Sequence, residues 1–158
     1  MGRIVEERPP TAGERQLAAR VFGDALDLSS MRFRLGKYWF LHPARAVMAP
    51  DGNIWFHPNG GLWRRDYSGE ALWLRGLIVH ELTHVWQHQR GVFLPLKRHP
   101  FCRYRYDFEP GRPFAAYGIE QQAELVRHAY LLSEGRRLAE KPDLAAYRAV
   151  LPFPAGHA

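Results

Sequence analysis

The chain has 158 residues, 46% of them hydrophobic, with 22 Lys plus Arg against 16 Asp plus Glu and a single cysteine. A chain of this size and composition is expected to fold as one globular domain without added staples, and the lone Cys102 excludes an internal disulfide framework and a cysteine-rich zinc knuckle. The net charge of +6 is concentrated in residues 31–65, with six basic and one acidic side chain, and in residues 91–112, with five and two.

Those basic residues come singly or in pairs, such as Arg64-Arg65 and Lys97-Arg98. An arm that tracks phosphates needs denser runs, so no nucleic-acid partner is expected. No segment approaches the ~20 apolar residues of a membrane span. Glu6 and Glu7 stand where a secretory signal needs an apolar stretch. The expected location is the cytoplasm, unless the protein leaves by a non-classical or contractile secretion route.

In chain order, Thr11 and Glu14 have the spacing of a capping box, and Leu17, Ala18, Val21 and Phe22 follow on one helical face. They predict a first helix ending near Leu26. Met31, Phe33 and Leu35 alternate with Arg32 and Arg34, the period of a half-exposed strand. Residues 45–58 read as a hairpin, with Asp51-Gly52 as the turn and 53–57 as the return strand. Residues 71–90 predict a helix that is apolar on nearly every face and stops at Gly91. The stretch 91–117 is rich in proline and aromatics, and 103–108 is expected to supply one short strand. A long helix over 118–134 is stopped by Gly135, and a short helix over 142–150 precedes a tail over 151–158. The order α, β, β, β, α, loop, α, α predicts an α+β fold, one domain over 1–158 with a small N-terminal β-sheet.

His80, Glu81 and His84 interrupt the apolar character of the 71–90 helix. Unpaired ionisable groups in a core cost several kcal/mol, so something must compensate them. Two histidines four residues apart sit one turn from each other, about 6 Å apart, where both imidazoles can share a tetrahedral Zn²⁺. Glu81 can then accept a proton from a water that the metal activates. This is the HExxH pattern. Its extended form would need Gly at 87 and His at 90, but the chain has Gln87 and Arg90. His88 lies a further turn along, past a metal held between His80 and His84, and is read as a helix-end residue. The third ligand is sought on the next long helix, where Glu120 and Glu124 share a face. One can bind the metal while the other orients an imidazole.

His80-Glu81-Leu82-Thr83-His84-Val85-Trp86-Gln87, followed by Ile119-Glu120-Gln121-Gln122-Ala123-Glu124, resembles the small bacterial HExxH proteins described as Vgr-related or Rhs-associated. The resemblance covers about residues 11–135, including the Ile54-Trp55-Phe56-His57-Pro58-Asn59-Gly60 strand, and leaves the short helix and tail over 136–158 outside it. It implies a zincin-like metallopeptidase of the Glu-zincin type, with a buried HExxH helix and a second ligand-bearing helix. That family type is linked to polymorphic toxins and contractile secretion systems. Its distal motif commonly reads Glu-x-x-Ala-Asp, which assigns Glu120 to the metal and Glu124 to the support of a histidine. The longer arm of Glu at 124 leaves the two roles exchangeable.

The expected function is a zinc-dependent hydrolase acting on peptide or amide bonds, with one Zn²⁺ per chain on His80, His84 and Glu120, and Glu81 as general base. Its expected partners are a peptide or protein substrate and a Vgr/Rhs-type secretion component. Tyr117, Tyr106 and His128 are the candidates for donating to the developing oxyanion. The edge of the 53–57 strand could receive an extended peptide. The alternative is a metal-binding, catalytically weak adaptor of the secretion apparatus.

Overall fold

The computed structural model describes residues 2–92 and 104–153. Cys102, the Lys97-Arg98 pair, Arg103 and the end of the tail, 154–158, lie outside the described residues.

Among the described residues four strands form one sheet: β1 (Arg3–Arg8), β2 (Phe33–Lys37), β3 (Val47–Met48) and β4 (Ile54–Phe56), in the spatial order β1-β2-β4-β3. β1 and β2 are antiparallel, β2 and β4 parallel, and β3 and β4 form the expected antiparallel hairpin. Its turn is set by Asp51, whose Oδ1 accepts from Asn53 N and Trp55 Nε1, and by Gly52 at φ +85°, where a side chain would be strained. Among the described residues four α-helices accompany the sheet: α1 (Ala12–Phe22), α2 (Leu72–Gln89), α3 (Ile119–Ser133) and α4 (Leu144–Val150). The result is a mixed α and β domain with its sheet in the N-terminal half. Among the described residues no helix is long and apolar enough to cross a membrane.

Two sequence expectations are corrected. β1 was absent from them, because Arg-Ile-Val-Glu-Glu-Arg shows no alternating buried face. The strand is held at the sheet edge by backbone pairing and by cross-strand contacts such as Arg34 Nε with Glu7 Oε2 at 3.1 Å. The strand expected over 103–108 does not form in its described part, 104–108. That segment instead lies against the helices, with Tyr106 buried and Phe108 packed on the core.

The N-terminal half is closed by one buried carboxylate. Glu14 forms the expected capping box with Thr11, accepting from its backbone N at 2.8 Å. It also accepts two bonds of 2.8 Å from the Arg8 guanidinium and one of 2.8 Å from Tyr67 N. Arg8 lies over the Phe33 ring at 4.5 Å and donates to Arg64 O. A single ion pair thus ties β1, α1, β2 and the 62–70 loop together.

α2 runs through the core, where Leu74, Ile78, Val79, Leu82 and Val85 are buried, and it packs on α3, α1 and β4. Its contacts on α3 descend as α2 ascends: Gly76 lies by Leu131, His80 by Glu124, His84 by Glu120 and Gln87 by Ile119. The two helices are therefore antiparallel. A Cβ at Gly76 would stand 3.1 Å from Leu131 Cδ2, so the missing side chain permits their close approach.

Breaking the Arg8–Glu14 pair should leave the guanidinium without its counter-charge. Glu14→Ala is expected to cost about 3 kcal/mol in denaturant unfolding, and Thr11→Ala, which removes the cap and an exposed bond to Asp66 but leaves the ion pair, about 1 kcal/mol. Equal losses in the two variants would show that the clamp adds nothing beyond the cap.

Candidate functional site

Of the polar residues inside α2, Thr83 is satisfied within its own helix, its Oγ1 donating to Val79 O at 2.9 Å. His80, His84 and Gln87 instead face α3. Position 84 is one turn beyond 80 and position 87 nearly another, so the three form a column opposite the first two turns of α3.

Three atoms meet in that column. His80 Nε2 lies 3.2 Å from Glu120 Oε2, His84 Nε2 lies 3.0 Å from the same oxygen, and the two Nε2 atoms are 3.2 Å apart. His80, His84 and Glu120 are all buried. The other nitrogen of each ring is fixed. Glu124 Oε1 is 2.7 Å from His80 Nδ1, and since a carboxylate only accepts, Nδ1 donates. Gln87 Nε2 donates to Ile119 O at 3.0 Å and to Gln122 Oε1 at 2.9 Å, which turns Gln87 Oε1 toward His84 Nδ1 at 2.7 Å. His84 therefore also donates from Nδ1. With both rings neutral, two nitrogen lone pairs and a carboxylate oxygen face one another.

Such a cluster must hold a shared cation, either a proton or a metal ion. Burial alone would push the His80 pKa down, but hydrogen bonds to Glu120 and Glu124 and the charge of Glu81 outweigh it and raise it to about 9. Burial pushes Glu124 upward, yet the His80 bond together with Arg127 and His128 holds it below the usual carboxylate range. His80, His84 and Glu120 are the group among the described residues whose ligand atoms, all within 4.8 Å of one another, could hold a metal ion.

Glu81 is buried beside the cluster, close enough for its charge to act on His80. His88 is exposed, its ring lying over Gly52, away from the cluster. Each of the three oxyanion candidates has a hydrogen-bond partner among the described residues. Tyr117 Oη accepts from Glu109 N at 3.1 Å. Tyr106 Oη contacts His128 Nδ1 and Tyr147 Oη, both at 2.5 Å. Two neighbours escaped the sequence reading. Gln87 was given no role at the site, although a glutamine three residues after a ligand histidine is placed to hold its ring. Tyr104 stacks on His80 with ring centroids 5.9 Å apart and is more than half exposed. Its one signal was the aromatic-rich character of its segment. An open groove lined by Tyr104, Asp107, Phe108, Arg112, Gln121 and Lys141 leads away from it.

No protein-family model matches the sequence. The chain is 38% identical over 166 residues to the Type VI secretion system spike protein VgrG2b of Pseudomonas aeruginosa. That alignment takes in 99% of the chain and 15% of the spike protein, so the chain spans a small part of that relative's length. It is also similar to the solved structure of the effector domain of Pseudomonas aeruginosa VgrG2b, with a TM-score of 0.77 and 36% identity over 92% of this chain and 82% of that one. The chain belongs to the family of the VgrG2b effector domain.

Proposed function

We propose that the chain is a zinc-dependent hydrolase of the zincin type, a metallopeptidase acting on peptide or amide bonds, with one Zn²⁺ held by His80, His84 and Glu120. The observation that carries this reading is the buried meeting of two imidazole nitrogens and one carboxylate oxygen at 3.0–3.2 Å, each imidazole fixed from behind. Two ligands at zinc distances of 2.0–2.1 Å and a tetrahedral angle are about 3.3–3.4 Å apart, so the donor set fits this ion with little movement. Two neutral imidazoles and one carboxylate, with a fourth position left for water or substrate, is the ligand chemistry of catalytic rather than structural zinc.

When bound, the ion would supply a Lewis acid that polarises the scissile carbonyl and makes a water nucleophilic near neutral pH. The chain's own residues do the rest. Glu124 and Gln87 hold the two imidazoles with Nε2 directed at the site. Glu81, held next to the ligands by its place in α2, accepts the proton of the attacking water and returns it to the leaving amine. The substrate approaches from the side of Tyr104, whose exposed ring stands beside His80 and opens onto the groove. The printed names of the relatives, a secretion spike and its effector domain, support delivery by such an apparatus, with a spike-type component as partner.

Purified protein should carry about one zinc per chain by elemental analysis, and His84→Ala or Glu120→Ala should abolish tight binding. A metal-free protein after zinc reconstitution would refute the site. Gln87→Ala and Glu124→Ala should each weaken zinc ~10- to 100-fold in chelator competition and leave it bound at high zinc. Reversed severities for Glu120 and Glu124 would exchange their roles.

Glu81→Gln separates chemistry from binding. The amide keeps size and hydrogen bonding but accepts no proton, so zinc uptake should be unchanged while hydrolysis of casein or a peptide library falls ~100- to 10,000-fold. Toxicity on expression in the cytoplasm or periplasm should fall with it. Zinc-loaded wild type and Glu81→Gln that are equally inert in every assay would instead identify a metal-binding adaptor.

A further inference from the structure

We propose that His128, Tyr106 and Tyr147 are positioning residues: the line of hydrogen bonds that joins the three holds the His128 ring with Nε2 3.4 Å from Glu124, and so fixes Glu124 and, through it, the ring of His80. The proposal rests on the zinc-site reading above and adds to it residues that touch no ligand atom. Glu124 divides its two oxygens. Oε1 takes the bond from His80 Nδ1 and is approached by Arg127 Nη1 at 3.3 Å, while Oε2 lies 3.4 Å from His128 Nε2. His128 Nδ1 is 2.5 Å from Tyr106 Oη, which in turn is 2.5 Å from Tyr147 Oη.

The direction of the line follows from what each atom can do. Glu124 carries negative charge, so a neutral His128 turns Nε2–H toward it as a dipolar contact at 3.4 Å and leaves Nδ1 to accept from Tyr106. The Tyr106 oxygen, its proton given away, accepts from Tyr147. Burial keeps His128 neutral, pushing it down to about 4 against the opposing pull of Glu124, and pushes both phenols above their ordinary range. Every proton therefore points toward Glu124, and successive bonds of one sense polarise one another. Tyr106 comes from the segment before α3, His128 from α3 and Tyr147 from α4, and both tyrosines are buried. Phenylalanine would fill the same space, but both hydroxyls are used. Tyr106 and His128 thus serve the site from behind Glu124 rather than as donors to substrate.

The test measures zinc affinity by chelator competition at fixed pH in the full chain, together with the visible spectrum of the Co²⁺-substituted protein. Outer-shell losses are typically ~10- to 100-fold, and Tyr106→Phe, one step further out, is expected at the lower end, about 10-fold, with shifted Co²⁺ bands. Tyr147→Phe, which breaks the far end of the line, should change affinity in the same direction and by less. In a Glu124→Gln background Tyr106→Phe should have almost no further effect, because the group it acts through has been altered. Wild-type affinity in both tyrosine variants, or the same loss with and without Glu124, would overturn the positioning role while leaving the zinc site intact. Absence of zinc binding by the unaltered protein would overturn the zinc-site reading, and this assignment with it.

Discussion

Three acceptor atoms buried within 3.2 Å of one another, His80 Nε2, His84 Nε2 and Glu120 Oε2, are the constraint that the rest of the structure serves. Unscreened lone pairs at that distance repel, and burial removes the water that would separate them. The arrangement persists only if a cation is shared among them and the surrounding structure prevents the side chains from turning away. The second condition is visible. His80 and His84 are each locked through Nδ1, one by Glu124 and one by Gln87, and the antiparallel contact of α2 with α3 brings the carboxylate across. Gly76 lets the helices approach one turn before His80, where any Cβ would press on Leu131.

The sheet and α1 contribute by holding α2 still. α2 has no side-chain N-cap, and its buried length is fixed by packing against β4, α1 and α3 rather than by its ends. Of those partners, α1 is tied by the Arg8–Glu14 pair to β1, to β2, which pairs with β4, and to the 62–70 loop that leads into α2. The N-terminal half thus works as a frame, and among the described residues the proposed site lies on α2, α3 and the segment from Tyr104 to Tyr117, backed by Tyr147 of α4. Positional precision in such a site depends on rotamers locked by packing and by bonds from outside the ligand set.

The parts of this arrangement that were legible in the sequence are those carried by helical spacing. His80 and His84, and Glu120 and Glu124, are each four apart in otherwise apolar surroundings, so their shared faces follow from geometry. What spacing could not supply is which carboxylate meets which nitrogen: Glu120 reaches the Nε2 atoms and Glu124 the far side of His80, an outcome of the offset between two helices. Gln87 was hidden because a buried glutamine has meaning only once Ile119 and Gln122 are placed opposite it. β1 was hidden because an exposed edge strand leaves no hydrophobic period, and 104–108 imitated a strand because its aromatics pack singly against helices. Tyr106 and His128 were noticed as polar groups near a site, but their partners come from elements distant in sequence.

The most direct test of the proposed metal centre is zinc K-edge X-ray absorption on the zinc-loaded protein. The account predicts a four-coordinate ion with nitrogen and oxygen neighbours at about 2.0–2.1 Å and outer-shell scattering from two imidazoles. A sulfur neighbour near 2.3 Å, a six-coordinate oxygen shell, or scattering from fewer than two imidazoles would contradict it.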